Sequence, residues 1–150
     1  MPPSSHVEDR LRQGGLRVTA PRRAVLEFLS ASREHPTAEE VGRAVNRRAP
    51  RASRASVYNV LRSLKSAGLV RELVAGGAVA RYDANLSSHD HFVCRACGAV
   101  ADLPASGPPP VLAPDAFPGA RVEEASVTFH GTCPFCVSAS IPRPGGAPRE

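Results

Sequence analysis

Two pairs of cysteines constrain this chain more than any other feature: Cys94-Arg95-Ala96-Cys97 and Cys133-Pro134-Phe135-Cys136, which together are all the cysteines it has. Each C-x-x-C is a knuckle able to present two thiolates to one tetrahedral ion. A fold that puts both knuckles on one ion must close the 35 residues of segment 98–132 into a loop. Two disulfides are a poor reading in a reducing cytosol, and a thioredoxin-like redox pair needs only one C-x-x-C at a helix start. The pattern therefore favours structural Zn²⁺ held by Cys94, Cys97, Cys133 and Cys136.

Charge divides the chain in the opposite sense. Residues 1–82 carry 15 Arg or Lys against 7 Asp or Glu, a balance of +8, while residues 83–150 carry 4 against 7, a balance of −3, which together give the net +5. All four cysteines and three of the five histidines lie between His89 and Cys136. A cationic half thus precedes a half rich in metal ligands, and the cationic half calls for an anionic partner. No apolar run approaches the roughly 18 residues of a membrane span and no secretory leader is recognisable, so a soluble, cytoplasmic protein without membrane contact is expected.

The cationic half reads as short helices. Val7 to Gln13 is closed by Gly14-Gly15, residues suited to a left-handed helix end. Thr19 caps a second helix with Pro21 in its first turn and Val25, Leu26 and Leu29 on its inner face. Thr37-Ala38-Glu39-Glu40 is a capping box that opens a third, running to about Ala49 with Val41, Ala44 and Val45 inward. Ser53 caps the fourth, where Val57, Val60, Leu61 and Leu64 follow helical spacing until Gly68.

Arg54, Tyr58 and Arg62, each four residues from the last, stack along the outer edge of that fourth helix with Asn59 beside them. Cations for phosphates and amide or aromatic groups for base edges suit a recognition helix in a major groove. The bland alternative is an ordinary solvated face. Leu69 to Val74 and Val79 to Tyr82 then read as strands around the turn Ala75 to Ala78, the wing of a winged helix.

In the second half, His91-Phe92-Val93 looks like a strand, on which alternation puts His89 and His91 on one face and Asp90 on the other. If Cys94 to Cys97 forms a hairpin tip, Ala99 to Leu103 returns antiparallel and brings Asp102 near His91. Asp83, six residues before His89, stays on the same side if the chain is extended. Two imidazoles and two carboxylates suit Fe²⁺, Mn²⁺ or Zn²⁺; the competing view is a set of polar positions on a wet strand. The stretch Pro104 to Pro118, with six prolines, should be a loop or one short turn, because proline costs about 3 kcal/mol inside a helix. A later strand is expected over Arg121 to Phe129, with Val122, Ala125 or Val127, and Phe129 alternating imperfectly, and residues 141–150 as a disordered tail.

Taken in order, Leu16-Arg17-Val18-Thr19-Ala20-Pro21-Arg22, His35-Pro36-Thr37-Ala38-Glu39-Glu40, Ser56-Val57-Tyr58-Asn59-Val60-Leu61, Arg81-Tyr82-Asp83, His89 to Gly98 and the second knuckle resemble the Fur family of metal-dependent bacterial repressors, over about residues 10 to 137. The resemblance implies an α+β chain: an N-terminal winged helix-turn-helix DNA-binding domain, 1–82, and a small C-terminal α/β dimerisation and metal-binding domain, 83–140, with the four-cysteine zinc site. The ligand pattern looks most like the peroxide-sensing PerR branch, which implies a regulatory Fe²⁺ or Mn²⁺ at His35, Asp83, His89, His91 and Asp102. Only the resemblance selects His35.

It further implies that peroxide oxidises His35 or His89 and so releases the repressor from its operator, an A·T-rich palindrome bound by a homodimer. Arg17 matches the family's minor-groove contact and Tyr58 its base-contacting tyrosine. A second metal site found in many relatives uses extra histidines, whereas the resemblance puts Ser88 and Ala125 at the matching positions here, so that site is not expected. An iron- or manganese-responsive regulator is the nearest alternative. A zinc sensor is disfavoured because the knuckles use every cysteine, and a metal-dependent hydrolase because no nucleophile or base is left over once ligands are assigned.

Overall fold

The protein, described here from a computed structural model covering residues 4–48, 53–74, 79–108, 110–122 and 125–140, separates into two compact units that divide between Leu86 and Ser87. The turn expected at 75–78 and the tail expected at 141–150 lie outside the described residues. No helix among the described residues is long and apolar enough to cross a membrane.

The first unit opens with four helices, α1 (Ser4–Gln13), α2 (Ala20–Ala31), α3 (Ala38–Arg48) and α4 (Arg54–Ser66). Local sequence sets their ends. Gly15, at φ 72°, closes α1, where the Leu16 amide donates to the Leu11 carbonyl at 2.9 Å and the Gly15 amide to Arg12 at 3.0 Å, a left-handed cap that spares a Cβ penalty. Thr19 Oγ1 accepts from the Arg22 amide at the start of α2. The Thr37 capping box is closed from both sides: Glu40 N donates to Thr37 Oγ1 at 3.2 Å, and Thr37 N to Glu40 Oε2 at 2.8 Å. That amide holds the Glu40 carboxyl below the usual carboxylate range. Ser53 Oγ accepts from Ser56 N at 3.1 Å to start α4.

One face of each helix meets in a shared core. Val7 and Leu11 from α1, Val25, Leu26 and Leu29 from α2, Val41 and Val45 from α3, and Val57, Leu61 and Leu64 from α4 belong to a single apolar cluster. Burial of each such side chain stabilises the fold by roughly 1.5–3 kcal/mol before chain entropy is charged against it. A hairpin of β1 (Arg71–Val74) and β2 (Ala80–Asp83) completes the unit, with Leu73 opposite Arg81 and Arg71 opposite Asp83. Arg10 braces it: its guanidinium donates to Ser30 Oγ and to the Leu69 and Ala84 carbonyls.

The second unit is a three-stranded sheet, β3 (Asp90–Cys94), β4 (Val100–Leu103) and β5 (Thr128–Gly131), followed by the short helix α5 (Pro134–Ser138). Strand β3 is central, antiparallel to β4 and parallel to β5. The late strand is shorter and lies further along than the alternation over Arg121 to Phe129 suggested. It begins only where β3 supplies a partner, next to the Val127 carbonyl that accepts from the His91 amide at 3.0 Å. The described part of 104–120 contains bends and turns and no helix, as its prolines require.

Candidate metal and DNA-binding sites

Both knuckles sit at the ends of strands. The first follows β3, which ends at Cys94, and turns through Gly98, at φ 73°, with the Gly98 amide donating to the Cys94 carbonyl at 2.9 Å. The second lies at the start of α5, where Cys133 precedes Pro134 and Cys136 is turned inward. Pairing of β5 with β3 brings them together, Cys94 lying opposite Gly131. The four sulfurs lie within 4.8 Å of one another, and Cys97 Sγ is 3.9 Å from Cys133 Sγ. A tetrahedral Zn²⁺ with bonds of about 2.3 Å separates its sulfurs by roughly 3.8 Å, so the donor set fits that ion.

The electrostatics point the same way. The Cys133 amide donates to Cys94 Sγ at 3.3 Å, and this bond, aided by the Cys97 and Ala96 amides, brings the Cys94 thiol down to about 6. Burial and the three neighbouring thiols push Cys136 up to about 12. Four converging thiols cannot all ionise unaided, and a bound dication removes that conflict. The second knuckle does stand at a helix start, as a redox pair would, but the approach of the other two sulfurs gives it a different environment.

The remaining ligand candidates fall in both units. In the first, His35 precedes α3 and Asp83 ends β2, and both are buried. His35 Nε2 lies 3.8 Å from Asp83 Oδ2, while Asp83 Oδ1 accepts from the Asn85 amide at 2.7 Å. In the second, the register sets His91 opposite Asp102. Asp102 Oδ1 stands 3.2 Å from His89 Nε2 and 3.8 Å from His91 Nε2, and the two imidazoles meet edge to face with centroids 4.5 Å apart. His89 Nδ1 is 2.8 Å from the Ser87 carbonyl. Since a carbonyl only accepts, Nδ1 is the donor in this contact, which turns Nε2 toward Asp102 as the nitrogen that would bind a metal, the orientation usual in a metal-binding histidine. Separations of three to four ångströms among nitrogens and carboxylate oxygens suit a divalent cation bound at about 2.0–2.2 Å.

Asp90 points elsewhere, its Oδ2 accepting from the Ser106 amide at 3.0 Å. It lines a hollow of about 270 Å³ together with Ser88 and Ala125. Neither of those two neighbours offers a nitrogen or a carboxylate.

On the first unit, Arg54, Tyr58 and Arg62 line one groove, next to β2, along with Lys65. Tyr58 is 48% exposed although aromatic. Arg17 and Asn59 line a second groove beside the start of α2, which includes Arg22. Lys65 and Arg22 were not singled out from the sequence. Lys65 was findable, since it continues the Tyr58 and Arg62 edge by three residues. The cations do not stand alone: Arg54 approaches Glu39 at 3.4 Å, Lys65 pairs with Glu72, and Arg22 Nη1 donates to the Arg17 carbonyl at 3.0 Å.

Comparison with known proteins agrees with these features. The model of the ferric uptake regulator family matches residues 13–106. The transcriptional regulator FurA of Mycobacterium tuberculosis is 43% identical over 130 residues, which span 85% of this chain and 88% of that protein. The peroxide-responsive repressor PerR of Staphylococcus aureus is 42% identical over 93 residues, spanning 62% of this chain and 63% of that one. Among solved structures, the ferric uptake regulator of Pseudomonas aeruginosa with manganese superposes with a TM-score of 0.64 at 27% identity, covering 85% of this chain and 98% of the other.

Proposed function

The chain belongs to the ferric uptake regulator family of metal-responsive transcriptional regulators, which are not enzymes, and from that premise we propose that it is a homodimeric, peroxide-sensing repressor. In this reading Cys94, Cys97, Cys133 and Cys136 hold a structural Zn²⁺. His35 and Asp83 from the first unit join His89, His91 and Asp102 from the second around one regulatory Fe²⁺ or Mn²⁺. Arg17, Arg54, Tyr58, Asn59 and Arg62 bind an A·T-rich palindromic operator.

The observation that carries the peroxide reading is the pairing of Asp102 with His89 and His91 at 3.2 and 3.8 Å. A short aspartate, two imidazoles and no sulfur make a hard nitrogen and oxygen set that suits Fe²⁺ and Mn²⁺. The Ser88 and Ala125 positions add no second imidazole site. Ligands drawn from two units give the ion a differential affinity for the arrangement that binds DNA, which is what a population shift requires. Bound Fe²⁺ supplies the redox chemistry that activates peroxide. At His35 or His89 one peroxide oxygen adds to the imidazole ring and the other leaves as water. The altered ring would be a poorer ligand, so the set of His35, Asp83, His89, His91 and Asp102 would hold a cation less tightly and the operator-binding arrangement would lose its support.

The test is to treat the Fe²⁺-loaded protein with micromolar peroxide and map the products by mass spectrometry. One added oxygen on His35 or His89, absent from the Mn²⁺-loaded control, is expected. An unmodified protein whose operator binding still follows Fe²⁺ or Mn²⁺ concentration would establish the second reading, a metal-level sensor.

A further inference from the structure

His35 adopts φ 48°, one of two non-glycine residues with positive φ among those described. Two local preferences oppose this. A Cβ disfavours the left-handed region, and the residue before a proline, here Pro36, is pushed toward extended backbone. Contacts from β2 hold the conformation instead. Arg81 Nη1 donates to the His35 carbonyl at 2.9 Å, the Tyr82 amide donates to the Pro36 carbonyl at 3.0 Å, and Thr37 bridges to Arg81. Glu40 Oε2, fixed by the Thr37 amide, stands 3.8 Å from the same guanidinium nitrogen and keeps it in place.

Strand β2 therefore carries both Asp83 and, two residues earlier, the side chain that sets the backbone of His35. We propose that Arg81 is a positioning residue for the regulatory metal: it holds His35 in the left-handed conformation that aims its imidazole at Asp83, so that the first unit offers two ligands already paired. This rests on the reading of His35 and Asp83 as ligands. A site ordered in advance loses less conformational freedom when the ion arrives. Outer groups that orient ligands typically contribute 10- to 100-fold to metal affinity.

The experiment is a calorimetric titration of Mn²⁺ into the full-length, zinc-loaded protein and three variants, with the unfolding midpoint of each measured before Mn²⁺ is added. Arg81→Gln should bind Mn²⁺ roughly 10- to 100-fold more weakly, and Arg81→Lys, which retains a charged donor, should recover part of the loss. His35→Ala reports on the ligand assignment itself. Wild-type affinity in Arg81→Gln alongside weakened His35→Ala would overturn the role of Arg81 and leave the site standing. Undiminished binding by His35→Ala would remove the ligand reading and the proposal with it. Equal losses in both Arg81 variants, tracking a lowered unfolding midpoint, would make Arg81 merely structural and also overturn it.

Discussion

Val7, Leu11, Leu26, Val41, Leu61 and Leu64 of the first unit are wholly inaccessible, whereas in the second unit the buried apolar residues among those described are Val93, Cys94, Val100 and Cys136. The second unit also leaves Val111, Phe117, Val122, Phe135 and Val137 more than half exposed. Two of its four buried apolar residues are thus proposed zinc ligands. The first unit draws its stability from helix faces that cover one another. A sheet of four- and five-residue strands with so small a core would gain most from the cross-link that Zn²⁺ at its four cysteines is proposed to make. Exposed apolar area of this kind marks an interaction surface, and in a family that acts as dimers a second subunit is its natural cover.

If that contrast holds, the largest effect comes from the cysteines. Cys94→Ser should lose zinc and abolish cooperative unfolding and dimerisation of the second unit, with the helical signal of the first retained. Metal analysis, circular dichroism and size-exclusion chromatography read these separately. A variant that kept its dimer and lost only metal response would show that the knuckles serve sensing rather than structure.

Next comes Leu61→Ala, which opens a cavity at a fully buried site and should cost about 2–5 kcal/mol. Chemical denaturation with and without chelator is the measurement. The loss should be the same in both, because the first unit's core does not use zinc; a chelator-dependent loss would couple the units and break the comparison.

A smaller effect is expected at the capping box. Thr37→Ala should cost about 1 kcal/mol and also change the acid limb of the stability curve. Glu40 has a lowered pKa in the folded protein, so its contribution is complete above its ordinary value near 4.5 and is lost as pH falls through the lowered one. Without the Thr37 hydroxyl that limb should flatten only partly, because the Thr37 amide is the larger cause of the shift.

Removing one groove cation should be least visible in stability and clearest in DNA binding. Arg62→Ala should reduce the slope of log affinity against log salt by about 0.9 if the side chain neutralises one phosphate. Tyr58→Ala should weaken specific sites more than random DNA, and equal loss on both would remove its base-reading role.

The helices were legible because their signals are local. Thr37 with Glu40, Ser53 with Ser56 and the apolar spacing of Val57, Leu61 and Leu64 each lie within a turn or two of chain. The late strand was misplaced because β5 starts where the His91 amide finds the Val127 carbonyl, a partner 36 residues away that no alternation encodes. Lys65 escaped for a milder reason: the polar edge was followed only in steps of four, through Arg54, Tyr58 and Arg62, and Lys65 lies three residues further on. His35 had no local signal at all, and resemblance alone selected it.

What the sequence determined by itself was chemistry and periodicity: which residues can bind metal, which faces are apolar, and where helices start and stop, since these depend on side-chain type and near neighbours. The hairpin that sets His91 opposite Asp102 was anticipated from the sequence, whereas only the tertiary structure decided the pairing of β3 with β5, the approach of Cys97 to Cys133 and the left-handed turn at His35. Those arrangements follow from strand register and from hydrogen bonds between distant segments. At His35 they override what the local chain prefers.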